Sequence, residues 1–313
     1  MKVAILGLDS LDADRVRDRY DFDALRLAES AKLDLEGLTG AEVHTKIIWP
    51  ILLDGNHPNH GDAEVSTPQR LSRLARSVGL PEGVRQRLGS LFDEIRVFDE
   101  TGRSLTVADS FLAAADTPAA ISVPGLSEMT VATEVRSALS GQMRAGSIQP
   151  TRGFWHACEV EHEVKRAATL AALDETDVVM THFYALDAVQ HVAQNTDESR
   201  VEAWYRRYAA LVEEVLDAVG DDGVVVLLSD HGMVDGVHGP DGKGAYAYAA
   251  SSRPLGIDDG TPISEVPSVL RGLVADATAA NDDRDADADD GRSLGDESVA
   301  AERRQHLEDL GYF

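Results

Sequence analysis

Residues 223–232 read GVVVLLSDHG. Three valines and two leucines run together, and the run then stops on serine, aspartate, histidine and glycine. A short continuous apolar run bounded by turn residues reads as a strand covered on both faces, as in parallel sheets. Packing explains the run but not its ending. Asp230 and His231 stand where the strand gives out, and a second imidazole, His238, follows among glycines in GMVDGVHGPDG.

Three further runs have the same character: KVAILGLD (2–9), AAISVPG (119–125) and DVVMTHF (177–183). Helical patterns lie between them. The clearest is SRVEAWYRRYAALVEEVLDAVG (199–220), with Val201, Tyr205, Tyr208, Leu211, Val215 and Val219 on one face and Gly220 as its stop. Alternating strands and helices predict an α/β fold, a three-layer α/β/α sandwich around a mostly parallel sheet. Ligands of such sheets bind beyond the carboxyl ends of the strands.

The chemistry-bearing residues gather at those ends. Asp9 closes the first strand. ALDAVQH sets Asp187 and His191 four apart, so a helix there points both from one face. Taken singly, an aspartate after a strand is a turn former or a cap, and a histidine in a glycine loop is surface decoration. Taken together, six such residues follow the ends of apolar runs. Clustered buried carboxylates are costly unless a cation joins them. Mixed aspartate and histidine ligands suit zinc or a similar first-row metal, manganese included, better than calcium or magnesium.

Composition narrows the setting. Fifty-five acidic residues face 29 basic ones, a formal net charge of -26. Lysine occurs only at Lys2, Lys32, Lys46, Lys165 and Lys243, and the acidity spreads along the chain. Such a surface suits concentrated salt, where the Debye length falls to about 3 Å at 1 M and self-repulsion is screened. A halophilic protein is the expectation. No basic stripe points to nucleic acid. No run approaches the roughly 18 apolar residues of a membrane helix, and MKVAILGLDS lacks the features of a secretory signal. The lone Cys158 rules out an internal disulfide. A cytoplasmic location fits these features.

The expected organisation is a main α/β domain over 1–278, an acidic linker over 279–294 and a C-terminal helix over 295–313. The linker contains NDDRDADADDGRS (281–293). A helical insertion is expected at about 62–100. Its segment STPQRLSRLARSVGLPEGVRQRLGS (66–90) carries five arginines against one glutamate, and Arg70 and Arg73 lie off its apolar face.

The chain resembles the alkaline phosphatase superfamily, most of all its type I phosphodiesterase and nucleotide pyrophosphatase branch. The resemblance rests on LGLDSL around Asp9, LDAVQH with Asp187 and His191, SDHGM with Asp230 and His231, and HGPDGKGAYAYAASSRPL from His238. HTKIIWPILLDGNHPNHG, TVADSFLAAADTPAAISVPG and LEDLGYF extend it. The resemblance implies an alkaline phosphatase-like fold and two divalent metals, zinc first and manganese second. Asp187, His191 and His238 would hold one metal; Asp9, Asp230 and His231 would hold the other. It also implies that Thr45 is the nucleophile, bridging the metals through its oxygen, with Trp49, Gly55 and Pro58 at the family's spacing. Thr45 would attack phosphorus in line, and water would hydrolyse the resulting phosphothreonine. The substrate would be a small phosphate ester or nucleotide.

Asp54 departs from the pattern, standing where relatives carry Thr or Ser. His60 comes one residue early. Pro50 is expected to push the helix start toward Trp49, leaving Thr45 on a loop. HTKIIWP lacks the C/S-x-P-x-R setting of a sulfatase. A phosphomonoesterase, a phosphoglycerate mutase-like phosphotransferase and a non-catalytic metal-binding homologue stay open as alternatives. The sequence sets no oligomeric state.

Overall fold

The computed structural model describes residues 1–38, 43, 45–57, 104–127, 152–193, 197–234, 237–238 and 246–288. The expected insertion at 62–100 and the C-terminal helix at 295–313 lie outside the described residues, as do His44, His60, Arg70 and Arg73.

The four apolar runs all form strands: β1 (Val3–Leu8), β3 (Pro118–Ile121), β4 (Val178–Phe183) and β5 (Val224–Ser229). β3 is shorter than its sequence run. β1, β4 and β5 are buried at every position, as expected of mostly apolar strands covered on both faces. β5, β1, β4 and β3 lie side by side and parallel. Two strands join antiparallel at the other edge: β2 (Glu29–Leu33), outermost, and β8 (Ala247–Ser251) between it and β5. A small ribbon, β6 (Met233–Val234) with β7 (Val237–His238), stands apart.

Helices cover both faces. α1 is a single turn (Asp23–Arg26). α3 (Arg152–Glu175), α4 (Ala185–Ala193) and α5 (Glu198–Val219) share one core with Ala4, Leu6 and Leu8 of β1. α2 (Thr45–Asp54) and α6 (Val266–Ala288) share the other with Val3 and Ile5. Alternate residues of one strand thus feed opposite cores, which is the three-layer α/β/α sandwich. Among the described residues, no helix is long and apolar enough to cross a membrane.

Two expectations are corrected. α2 begins at Thr45 and takes Pro50 into its interior, so Thr45 is helical rather than on a preceding loop. Pro50 gives up one helical hydrogen bond. Burial offsets that loss, for Ile48, Trp49, Ile51, Leu52 and Leu53 are all inaccessible to solvent. Gly55 then ends the helix with φ +79, where a side chain would meet the Ser264 carbonyl at 2.7 Å. The second correction concerns α6. It continues to Ala288, well past residue 279, so the acidic segment is helical over its first part.

Trp49 lies across the sheet at β1. A Cβ on Gly7 would stand 2.5 Å from its ring, so glycine is what lets the indole come so close to the strand. The His182 ring meets Trp49 edge-on, with centroids 4.9 Å apart.

Candidate metal centre

β1 lies between β5 and β4, so the parallel sheet delivers Asp9, Asp230 and the turn before Asp187 at three neighbouring strand ends. α4 begins directly after β4 and carries Asp187 in its first turn and His191 one turn later. Their side chains approach to 3.4 Å, Nε2 to Oδ1. α2 approaches from the other face with Thr45 at its start.

The polar atoms converge closely. Thr45 Oγ1 donates to Asp9 Oδ2 at 3.2 Å. His231 Nε2 lies 3.3 Å from Asp230 Oδ2 and 3.7 Å from Asp9 Oδ1. Asp9, Asp187 and His231 each offer a ligand atom within 4.8 Å of the other two, and all three are buried. Asp187 therefore stands with Asp9 and His231 as well as with His191. Asp9 and Asp230 are fully buried, and Asp187 nearly so. His191 is partly exposed at the rim. The backbone of His238 closes the β6–β7 ribbon opposite Met233, while its side chain lies outside the described residues.

This donor set fits a divalent cation. Asp230 Oδ2 is buried and takes part in no hydrogen bond; its near neighbour is an imidazole nitrogen. Three carboxylates brought this close in a water-poor pocket repel one another, and a cation between them reverses the sign of that interaction. Oxygen and nitrogen donors together match a first-row metal.

Three contributors were not singled out from the sequence. His182 on β4 places Nε2 3.3 Å from Asp9 Oδ2. Ser10, fully buried, has φ +61, a left-handed conformation that costs a non-glycine residue roughly 1–3 kcal/mol. Asp12 accepts from Arg15 N at 3.0 Å and Met233 N at 3.2 Å, tying the loop after β1 to the one after β5. Burial pushes the Asp12 carboxyl above its usual range, and those backbone donors pull it partly back. The one signal for Ser10 and Asp12 was their closeness to Asp9. For His182 it was an imidazole inside an apolar strand.

Other named residues are bland. Lys46 is exposed. Cys158 is buried, which pushes its thiol well above the ordinary range and leaves it unreactive.

Residues 89–246, just over half of the chain, match the family model described as type I phosphodiesterase / nucleotide pyrophosphatase. The chain belongs to that family. It is accordingly a hydrolase of phosphate-ester bonds. Among solved structures it is similar to the alkaline phosphatase of the Antarctic bacterium TAB5, with 11% identity and a TM-score of 0.44 over 87% of this chain and 97% of that one. A variant of the TAB5 enzyme, described with Mg bound in its M3 site, gives 10% identity and 0.43 over the same shares. No curated protein sequence matches the chain.

Proposed function

We propose that the chain is a phosphodiesterase or nucleotide pyrophosphatase with Thr45 as nucleophile and Asp9, Asp187, His191, Asp230, His231 and His238 as ligands of two divalent cations. The observation that carries this reading is the Thr45–Asp9 contact. A hydroxyl at the start of a buried helix lies 3.2 Å from the carboxylate where three strand ends meet.

Asp9 Oδ2 accepts the Thr45 hydroxyl and so orients Oγ1. The start of α2 adds N–H groups without helical partners, which suit a phosphoryl oxygen. Oγ1 loses its proton and attacks phosphorus, the ester oxygen leaves and takes a proton from solvent, and a phosphothreonine remains; water then cleaves the phosphorus–Oγ1 bond, giving one proton back to Oγ1 and its hydroxyl to phosphorus. Divalent cations, zinc or manganese, would supply the Lewis acidity that lowers the hydroxyl's pKa and takes up negative charge on phosphorus-bound oxygens. Burial of Asp9 and Asp230 keeps bulk water from competing for their oxygens. The catalytic domain in this reading is the span 1–278. The acidic composition points to work in concentrated salt.

The test uses protein folded in molar KCl with zinc or manganese. Rates on bis-nitrophenyl phosphate, nitrophenyl phosphate and nitrophenyl sulfate are compared for wild type, Thr45→Ala and Asp187→Ala. The diester should be cleaved fastest and the sulfate untouched. Both variants should lose about 10³-fold or more in rate. Wild-type rates from Thr45→Ala would overturn the covalent route, and preference for the monoester would reassign the substrate.

A further inference from the structure

Ser10 lies directly after Asp9 and is fully buried in the left-handed backbone region, at φ +61. Glycine would sit there without strain. Its hydroxyl is bonded on two sides: Oγ lies 2.7 Å from Asp187 Oδ1 and 3.1 Å from His231 Nδ1. Its backbone is held as well, with Gln190 Nε2 donating to the carbonyl at 2.6 Å and the amide reaching Asp230 Oδ1 at 3.4 Å. One residue therefore touches elements that follow β1, β4 and β5.

We infer that Ser10 is a positioning residue, whose single hydroxyl ties Asp187 to His231 and fixes which nitrogen of His231 faces the carboxylates. The proton count gives the direction. A hydroxyl has one hydrogen and an ionised carboxylate can only accept, so the short bond to Asp187 uses the Ser10 proton. The oxygen that remains is an acceptor toward His231. The Gly232 carbonyl, 3.3 Å from the same Nδ1, is an acceptor too. Flanked by two acceptors, Nδ1 carries the hydrogen. Nε2 is then the ring nitrogen turned toward Asp9 Oδ1 and Asp230 Oδ2. A histidine ligand is commonly oriented in this way, its far nitrogen donating to a polar group that fixes ring and tautomer. Here that group is shared with a second ligand, so the two are set together. The inference rests on the reading of Asp187 and His231 as metal ligands.

Ser10→Gly removes the hydroxyl and relieves the backbone, so the fold survives; Ser10→Ala removes the hydroxyl alone. Two readouts need no substrate. The first is NMR of protein labelled with ¹⁵N-histidine, read at His231 Nδ1. The second is zinc affinity by competition with a chelating dye. Wild type should give a slowly exchanging Nδ1–H, and Ser10→Gly should lose that protection while binding zinc about 10- to 100-fold more weakly. The thermal midpoint of Ser10→Gly should stay within a few degrees of wild type. A wild-type His231 with hydrogen on Nε2 and none on Nδ1 overturns the inference, and so does unchanged zinc affinity in Ser10→Gly. Failure of the proposed hydrolysis appears separately, as a wild type that binds zinc and keeps its Nδ1–H but turns over no ester.

Discussion

His182 Nε2 and Thr45 Oγ1 share one oxygen of Asp9, at 3.3 Å and 3.2 Å from Oδ2. The other oxygen is left toward His231, at 3.7 Å. The Thr45 hydroxyl bonds the carboxylate, reaching Oδ1 as well at 3.5 Å, and the His182 nitrogen packs beside Oδ2. The His182 ring is itself fixed by its edge-on contact with Trp49. His182→Phe keeps an aromatic ring beside the indole and removes the nitrogens. Its rate on a phosphodiester should fall about 10- to 100-fold, as supporting residues of metal sites usually do. The melting midpoint, measured alongside, should move by only a few degrees. An unchanged rate would mean that Asp9 needs no such support.

Gly7→Ala tests the same stack from below. The added methyl would come within 2.5 Å of the Trp49 ring, closer than van der Waals contact permits. The indole must move, and it packs against both His182 and the core. Overpacking of this sort costs about 1–3 kcal/mol. A urea titration should show a lower midpoint with an unchanged slope. Adding Trp49→Leu should recover part of the loss, giving a non-additive pair as expected for touching side chains.

The fold was legible where sequence and burial coincide. β1, β4 and β5 are buried on both faces, and their mostly apolar runs match that burial. β2 and β8 read ESAKL and AYAAS, rich in alanine and serine, which carry little strand preference; their pairing comes from the sheet beside them. Pro50 misled for a related reason, since local backbone chemistry spoke against a helix that tertiary burial holds. In the site, Asp9 and Asp230 announced themselves by ending apolar runs, and Asp187 and His191 by helical spacing. Ser10 and His182 could not be read this way. A serine in a turn and one histidine in a strand gain meaning only from neighbours more than a hundred residues away.

A buried ion pair lies behind α4. Glu161 and Lys165, one turn apart on α3, are almost completely enclosed and bonded to each other. Glu161 Oε1 also accepts from Tyr184 N at 3.0 Å, at the turn leading into the helix of Asp187. Lys165→Met would strand a carboxylate without its cation, a change that typically costs about 3–5 kcal/mol. Glu161→Gln added to Lys165→Met should restore part of that stability, because an amide oxygen can still accept from Tyr184 N. Chemical denaturation of the single and double variants checks this. Equal stability of the two would mean that the stranded charge is not the cause.

Stability should depend on pH through His162. The ring is enclosed by Phe183, Trp204 and Tyr208, with centroids 5.2–5.8 Å away, and its Nδ1 is buried without a hydrogen bond. Desolvation disfavours the imidazolium and lowers its pKa from 6.5 to about 4, against a smaller upward pull from Glu161 and Glu163. The unfolded chain takes up this proton near pH 6.5, the folded one only near 4. Between those values the unfolded state binds more protons, so acidification favours unfolding. The His162 contribution is complete above pH 6.5, falls through the window and levels off below 4. Its size is on the order of 3 kcal/mol. His162→Phe keeps the aromatic packing and cannot titrate. The unfolding free energy of wild type minus that of His162→Phe should therefore decline as pH drops from 6.5 to 4, with the background of titrating carboxylates cancelling between them. A difference that stays flat across the window would show that the imidazole is charged, or solvated, inside the fold.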